Sequence, residues 1–232
     1  MYMKKLLKLS AVFLLLFSFS VSAAVKSTPV TKLKVPYYKQ QLANSCEAAS
    51  LRMALAYYKI PVQRDMSIIL KFGYKPRAKD WDKNIWDDPQ QQFVGHANIA
   101  GKPKGGYGTY GLPVVKAIKA YGRDAEYATG TAITADWLAK QISEKHPVII
   151  WGATSITEPP YTWTTPAGVE VKAFKGEHAR LITGFKGDPK DPEGFYIHDP
   201  WNGKADEYWT VADAMEHINL VPGVTDQAVV VK

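Results

Sequence analysis

The sequence predicts an α+β domain in which helices precede a mostly antiparallel sheet. Segments with the apolar spacing of helices dominate from Asn44 to Lys145. Short β-branched or aromatic runs, separated by turn residues, dominate from Pro147 to Val231. Helices grouped before strands are typical of α+β domains, because helices and strands alternate along the chain in doubly wound domains.

The N-terminus has the pattern of a secretory signal peptide. Three lysines precede the apolar run Ala11–Phe17, and the small residues of Val21–Ala24 suit cleavage by signal peptidase. The apolar run is too short to span a bilayer, and no second run of this kind follows. We therefore expect residues 1–24 to be removed and the protein to be secreted or associated with the cell envelope, without a membrane span.

The mature chain is predicted to be one domain with a modest positive charge. Loss of the three lysines lowers the formal net charge from +7 to +4. The basic residues are scattered and form no recognisable nucleic-acid module, so we expect no nucleic-acid partner. A weak contact with anionic cell-envelope polymers is the alternative. After a polar lead-in at residues 25–34, residues 35–232 can bury their own core, and we expect a monomer.

The first predicted helix carries the only cysteine of the chain. Asn44 is suited to the N-cap position with Glu47 as its capping-box partner, and the apolar helical face continues until Pro61. A second helix is predicted at Gln63–Phe72, with a glycine directly after it as C-terminal cap. Cys46 therefore lies in the first turn of a helix.

A long segment rich in aromatic residues, Tyr74–Gly111, follows the second helix. Loops of this length inside compact domains are usually functional or disordered, and the aromatic residues argue against disorder. We expect this segment to form part of a substrate cleft, with Trp86, Phe93, Tyr107 and Tyr110 as substrate-binding residues.

The remaining elements follow from apolar spacing and turn residues. Helices are predicted at Leu112–Tyr121, Thr134–Lys145 and Val211–Ile218, and extended segments at Ala125–Ala128, Pro147–Trp151, Tyr161–Phe174 (a hairpin), Ala179–Phe185, Gly194–His198, Tyr208–Thr210 and Ala228–Val231.

Cys46 is a candidate nucleophile. A lone cysteine in an exported protein has no partner for an intramolecular disulfide. A thiol in the first turn of a helix feels the partial positive charge of unpaired N–H groups, so we predict a lowered thiol pKa and a reactive thiolate. The alternatives are a small buried hydrophobic residue and a disulfide between two chains, which would give a reducible dimer.

His178 is the histidine best placed to act as a base. It lies at the mouth of a predicted strand, and the next strand ends in His198 and Asp199, so neighbouring strands would bring one of these two residues beside it. Side chains alternate along a strand, so only one of the two points at the site. We choose Asp199, because a carboxylate orients an imidazole.

The other histidines receive structural or surface roles. His217 lies in a late helix far from the other candidates, and His146 lies at a helix-to-strand turn, so both are interpreted as structural. His96, in the aromatic segment, is interpreted as a surface residue, with contact to substrate as the alternative. No histidine pair has metal-ligand spacing and one cysteine cannot build a structural zinc site, so we expect no metal. Gly105–Gly108 lacks the preceding strand and the Lys-Ser/Thr of a phosphate-binding loop, so no cofactor is expected.

An amide six residues before the thiol is a candidate oxyanion donor. Gln40 can donate a hydrogen bond to an oxyanion formed beside the sulfur, with the backbone N–H of Cys46 as second donor. Gln41 is a substitute, and either glutamine can instead be a surface residue.

These residues resemble the bacteriocin-processing, or double-glycine, cysteine peptidases of the papain-like clan, and specifically their stand-alone exported relatives. The likeness covers nearly the whole mature chain and rests on six motifs in the family's order. They are Val35–Gln40, Cys46–Ser50, Asp88-Pro89 followed by Phe93–Gly95 and Gly106–Gly108, Pro147–Ile149, Glu177–Ala179 and Asp199–Gly203.

The resemblance implies a papain-like fold with Cys46 as nucleophile, His178 as general base and acid, Asp199 as orienting carboxylate and Gln40 as oxyanion donor. It also implies hydrolysis of a peptide or peptide-like amide bond in a peptide or protein substrate, through a thioester acyl-enzyme. Relatives that cleave double-glycine leaders are usually fused to an ABC transporter, whose domains this sequence lacks, so leader processing is not transferred. The alternative is a catalytically silent papain-like module that binds peptide or cell-wall polymer.

Overall fold

A computed structural model describes residues 28–99, 105–153 and 159–232 of the chain. The predicted signal peptide and the first residues of the predicted lead-in lie outside these ranges. Within them, no helix combines the length and the apolar character that a membrane crossing requires.

Helices and strands follow the predicted order. The helices of the described residues are α1 (Cys46–Tyr57), α2 (Asp65–Gly73), α3 (Gly111–Ala120), α4 (Ala135–Ser143) and α5 (Val211–Ile218). The strands are β1 (Val30–Lys32), β2 (Val94–Gly95), β3 (Gly106–Gly108), β4 (Ala125–Thr129), β5 (Val148–Ala153), β6 (Tyr161–Thr164), β7 (Glu170–Ala173), β8 (Glu177–Asp188), β9 (Asp191–Asp199), β10 (Lys204–Thr210) and β11 (Gln227–Val231).

An antiparallel sheet forms the centre of the described part of the chain. Its strand order is β10-β9-β8-β5-β11-β4, and β1 pairs with β8 beyond the end of β5. β8 is the longest of these strands, with 12 residues, and its two halves hold different neighbours, since His178 pairs with Gly152 of β5 and Phe185 pairs with Thr31 of β1. The predicted α+β fold class is confirmed.

Helices cover both faces of this sheet. On one face α1, α2 and α3 form a buried cluster in which Leu51 joins Leu181 of β8. On the other face α4 and α5 form a second cluster, in which Leu138 and Ile218 join Ile182. Neighbouring side chains of β8 thus point to opposite layers, and burial of each large apolar side chain stabilises the fold by roughly 1.5–3 kcal/mol.

The long aromatic segment is anchored by buried indole rings. The ring centroids of Trp86 and Trp163 lie 5.3 Å apart, in a third cluster that includes the β6–β7 hairpin. Nε1 of Trp86 donates to the carbonyl oxygen of Arg77 at 2.7 Å, and Nε1 of Trp163 donates to that of Asp87 at 2.8 Å. The predicted hairpin is confirmed, and it packs against the aromatic segment.

The predicted capping box of Asn44 and Glu47 is wrong. α1 begins at Cys46, and Ser45 occupies the N-cap position without a side-chain capping bond. Nδ2 of Asn44 instead donates to the carbonyl oxygen of His96 at 2.9 Å. A partner from a distant segment has replaced the local cap, and this bond ties the start of α1 to the aromatic segment.

Candidate active site

Cys46 lies in the wall of a cavity of about 700 Å³. The residue is the first of α1 and is 6% exposed. Glu177 and His178, at the start of β8, line the same cavity, and so do Trp86 and Tyr161. The cavity therefore lies between the start of α1, one end of the sheet and the aromatic segment. Its size is typical of ligand-binding sites.

The predicted partners His178 and Asp199 are in contact. Nε2 of His178 lies 2.8 Å from Oδ1 of Asp199, and Nε of Arg180 donates to Oδ2 at 2.7 Å. Burial raises the pKa of Asp199, but the hydrogen bond with His178 and the charge of Arg180 outweigh burial and hold that pKa below its ordinary range. An ionised Asp199 places the histidine proton on Nε2. The prediction that Asp199 contacts His178 in place of His198 is confirmed.

His178 is a neutral base at rest. Burial lowers the pKa of His178, and the hydrogen bond with Asp199 opposes this effect without cancelling it. Since Asp199 engages Nε2, Nδ1 is the ring nitrogen with a lone pair for a thiol proton.

Arg180 connects Asp199 to His217, which the sequence interpretation places far from the site. NH1 of Arg180 donates to Nε2 of His217 at 2.6 Å, and the backbone N–H of Ala153 donates to the same atom at 3.1 Å. An atom that accepts from two donors carries no proton, so the His217 ring is neutral. Burial and the charge of Arg180 lower the pKa of His217 to about 4. The interpretation of His217 as remote is wrong, because α5 packs against this end of the sheet.

The thiol of Cys46 is protonated in the resting protein. Sγ donates to Oε2 of Glu47 at 3.4 Å. Burial raises the pKa of Cys46 well above its ordinary value, and the charges of Glu47 and Glu177 raise it further. The predicted lowering of this pKa is therefore wrong. The N-terminus of a helix carries only about half a positive charge, and two carboxyl groups beside the sulfur oppose it.

Glu47 and Glu177 form an acidic pair with buried carboxyl groups that the sequence interpretation missed. Oε1 of Glu47 accepts a hydrogen bond from the N–H of Thr109 at 2.7 Å, and burial raises the pKa of Glu47 to about 7. Both carboxyl oxygens of Glu177 expose less than 1 Å² and have no hydrogen-bond partner among the described residues. Burial and the charge of Glu47 raise the pKa of Glu177 well above its ordinary value.

Gln40, the predicted oxyanion donor, lines the cavity, but its amide hydrogens are used by the backbone. Nε2 donates to the carbonyl oxygens of Leu42 at 2.8 Å and Ala43 at 3.3 Å. An oxyanion role would require the side chain to rotate away from these partners. Gln41 is held elsewhere, because its Oε1 accepts from the N–H of Asp65 at 3.0 Å.

The model of the Peptidase_C39 like family matches residues 32–221. The chain belongs to this family. The predicted resemblance to double-glycine peptidases is thereby confirmed at the level of the family. No curated protein matches the chain.

One solved structure supports the fold of this C39-like chain, and two others are less similar. A candidate C39-like peptidase from Bacillus anthracis is 24% identical with a TM-score of 0.69, covering 88% of this chain and 98% of the other. A double glycine motif protease from an AMS/PCAT transporter, in complex with the leader peptide, is 20% identical with a TM-score of 0.47, covering 89% and 99%. The peptidase domain of Streptococcus ComA, a bifunctional ABC transporter, is 13% identical with a TM-score of 0.47, covering 84% and 95%. The Bacillus anthracis structure has the same fold.

Two of the four aromatic residues predicted to bind substrate line the cavity of the C39-like chain. Trp86 and Tyr107 do so. Phe93 is fully buried in the core, and Tyr110 is 2% exposed with its hydroxyl donating to the carbonyl oxygen of Lys172 at 2.7 Å. The prediction for Phe93 and Tyr110 is therefore corrected. Sequence composition does not distinguish a ring that packs beneath a segment from one on its surface.

The fold also brings together three potential metal ligands that lack ligand spacing in the sequence. Sγ of Cys46 and one carboxyl oxygen each of Glu47 and Glu177 all lie within 4.8 Å of one another. The available sequence signals were the glutamates themselves, one following the cysteine in an otherwise apolar helical turn and one preceding the histidine, because buried glutamates are rare without a partner.

Proposed function

We propose that this C39-like chain is a cysteine hydrolase that cleaves a peptide or peptide-like amide bond through a thioester acyl-enzyme. The main support is the 2.8 Å contact between His178 and Asp199 in the wall of the cavity that Cys46 also lines. A nucleophile, a base and a group that orients the base meet at one space, as acyl transfer requires.

The first half of the proposed reaction uses the ring nitrogen that Asp199 leaves free. Nδ1 of His178 accepts the thiol proton while Sγ of Cys46 attacks the carbonyl carbon of the amide. The C–N bond then breaks, the amine leaves with the proton that His178 returns, and the acyl group stays on Sγ as a thioester. In the second half, water gives a proton to Nδ1 and its oxygen attacks the carbonyl carbon of the thioester. The C–S bond then breaks, Nδ1 returns the proton to Sγ, and the acyl group leaves as the carboxylic acid.

The resting state in this proposal is a neutral pair. Burial raises the thiol pKa of Cys46 and lowers the imidazole pKa of His178, so a thiolate–imidazolium pair is disfavoured before substrate binds. Proton transfer therefore accompanies attack. The imidazolium that forms is stabilised by Asp199, which its ion pair with Arg180 keeps ionised.

The lining of the cavity supports a peptide or protein substrate. Trp86, Tyr107, Tyr161 and Trp201 line it from the aromatic segment, from β6 and from the turn after β9, and Trp201 is 53% exposed at its edge. Aromatic walls with a few polar groups are typical of sites for ligands with apolar side chains.

We further propose that the hydrolase acts outside the cytoplasm. The support is the basic start, apolar run and small residues of the first 24 positions. Mass spectrometry of the protein recovered outside cells tests this, with a mature N-terminus near Ala24 or Val25 as the expected result. Intact Met1 in all recovered protein would contradict it.

A silent peptide-binding module is the second candidate function, and two observations favour it. The thiol of Cys46 is neutral and hydrogen-bonded to Glu47, and the amide donors of Gln40 are occupied. In such a module the aromatic cavity would bind peptide without turnover.

Incubation with a proteome-derived peptide library, followed by mass spectrometry of new peptide termini, distinguishes the two. We expect new termini with the wild type and with the control His96→Ala, and none with Cys46→Ala or His178→Ala. Termini that persist with Cys46→Ala would contradict the hydrolase. Saturable peptide binding that survives Cys46→Ala, without turnover by the wild type, would establish the silent module.

A further inference from the structure

Cys46, Glu47 and Glu177 form a cluster beside the cavity, which we call the thiol–carboxyl cluster. Their ligand atoms all lie within 4.8 Å of one another. Cys46 and Glu177 also line the cavity, so a small ion has a path to the cluster from the cavity.

Glu177 is the member whose environment is incomplete. Both of its carboxyl oxygens expose less than 1 Å² and neither has a hydrogen-bond partner among the described residues. Glu47, by comparison, accepts the N–H of Thr109 and the thiol of Cys46. A buried carboxyl group normally has donors, a cation or a proton to compensate it. Without donors, Glu177 has a proton or a cation as its compensation.

Arg180 does not compensate the Glu177 carboxyl group through a hydrogen bond. Its Nε donates to Asp199 at 2.7 Å, its NH1 to His217 at 2.6 Å and its NH2 to the carbonyl oxygen of Ala153 at 3.3 Å. All three guanidinium nitrogens therefore donate to acceptors on the side of the site that orients His178.

The donor set indicates the class of cation. A thiolate sulfur is a soft ligand that selects zinc-like cations over Mg²⁺ and Ca²⁺, and carboxylates also bind zinc. In a tetrahedral zinc site the ligand atoms lie about 3.5 Å apart, as follows from bond lengths of about 2.0–2.3 Å. The ligand atoms of the cluster need to approach by little more than about 1 Å to reach that spacing.

We propose that the thiol–carboxyl cluster binds one thiophilic divalent cation, such as Zn²⁺, through Sγ of Cys46 and one oxygen each of Glu47 and Glu177, with water as the fourth ligand. A cation at this position occupies the sulfur that the proposed hydrolysis uses, so it holds the nucleophile in a protected state. The site goes beyond the proposed hydrolysis, because its occupation requires no turnover.

Titration of the reduced protein with CdCl₂ tests the site, read out by the ultraviolet absorption of a cadmium–thiolate bond. We expect one cadmium per chain, and no band in Cys46→Ala.

Glu47→Gln and Glu177→Gln should each weaken the apparent affinity for cadmium by at least about tenfold, the loss typical even for residues that only support a metal ligand. Glu170→Gln, which changes an exposed glutamate of β7, leaves the affinity unchanged. Circular dichroism checks that each variant is folded.

A second readout uses ZnCl₂ and iodoacetamide. Zn²⁺ should displace cadmium and slow alkylation of Cys46 in the wild type and Glu170→Gln, but not in Glu177→Gln at the same concentration. A cadmium band that survives both glutamine variants and is lost in His178→Ala would identify a thiol–imidazole site and overturn the proposal. Absence of the band at a large excess of cadmium would overturn it as well. Neither readout depends on peptide turnover, so failure of this site is distinct from failure of the proposed hydrolase.

Discussion

Arg180 holds Asp199 through a hydrogen bond of 2.7 Å between Nε and Oδ2, and the two side chains are only 7% and 3% exposed. Arg180 stands two residues after His178 on β8, so both side chains leave the strand on the same side. One carboxylate therefore meets both, with Oδ1 toward His178 and Oδ2 toward Arg180. The hydrogen bonds that hold the Asp199 carboxylate in place, including one from the backbone N–H of Trp201 to Oδ1 at 2.8 Å, also favour its ionised form.

Asp199→Asn tests this division of the carboxylate. The charged Arg180 is a stronger donor than the backbone N–H groups of Trp201 and Asn202, which donate to Oδ1 at 2.8 and 3.3 Å. The amide oxygen of the asparagine should therefore turn to Arg180, and the amide nitrogen should face His178. The imidazole proton would then move to Nδ1, and turnover should fall by roughly 10³- to 10⁴-fold, as when a triad aspartate is replaced by asparagine. Kinetics on a peptide from the library screen measures the loss, and ¹⁵N shifts of the His178 ring report the tautomer.

Asp206→Asn is the matched control, because Asp206 is an exposed residue of β10. Its turnover and the ring shifts of His178 should stay at wild-type values. Unchanged turnover in Asp199→Asn, with an unchanged tautomer, would remove Asp199 from the proposed mechanism.

Gly152 and His217 should be energetically coupled. A Cβ added at Gly152 would lie 1.9 Å from the His217 ring, so Gly152→Ala must displace that ring from Arg180 and Ala153. We expect a loss of about 1–3 kcal/mol from overpacking. In the double variant Gly152→Ala/His217→Ala the clash is absent, so its loss should be smaller than the sum of the two single losses by more than about 0.5 kcal/mol.

Urea unfolding of the four proteins measures this coupling. The pair His217→Ala with Ala128→Gly serves as control, because β11 separates Ala128 of β4 from β5, the strand of Gly152. The losses of this control pair should add. Additive losses for Gly152→Ala and His217→Ala would mean that the ring moves aside without cost.

The order of elements and the pair His178–Asp199 could be predicted from the sequence because both depend on local patterns. Apolar spacing fixes the type of each segment, and strand alternation separates Asp199 from His198. The capping box at Asn44 failed because a carbonyl group 52 positions away competes for the amide. Such competition is a property of the folded chain.

The surroundings of Cys46 could not be predicted from the sequence for a similar reason. Position in a helical turn gives the sign of the dipole effect, but the pKa of the thiol depends on burial and on Glu177, which is distant in sequence. His217 was misplaced because helix packing, and not sequence distance, decides what Arg180 reaches.

Alkylation of Cys46 should show a high thiol pKa. Iodoacetamide labelling of the metal-free protein, followed by mass spectrometry across pH, should give a midpoint above the ordinary value of about 8.5, because burial and the charges of Glu47 and Glu177 disfavour the thiolate. Glu177→Gln removes one of these charges and should lower the midpoint. Glu170→Gln should not. A wild-type midpoint at or below the ordinary value would contradict the raised pKa of Cys46 and support the sequence-based prediction of an activated thiolate.

Acid should destabilise the fold through His217. Burial and the charge of Arg180 lower the folded-state pKa of His217 from 6.5 to about 4. Between these values the unfolded chain binds a proton that the folded chain does not, so stability is complete above about pH 6.5 and falls as the pH decreases toward about 4. The shift corresponds to at most about 3.5 kcal/mol, since one pKa unit equals about 1.4 kcal/mol. In His217→Gln the amide oxygen can still accept from Arg180 but does not titrate. Urea unfolding over this pH range should therefore show a smaller acid-induced loss of the free energy of unfolding in His217→Gln than in the wild type or in His96→Gln.

Glu47 and Glu177 act in the opposite direction, because their raised pKa values let the folded chain take up protons before the unfolded chain does. They are present in all three proteins, so their effects cancel in the comparison. Parallel curves for His217→Gln and the wild type would show that His217 takes up its proton equally well in the folded and unfolded chains.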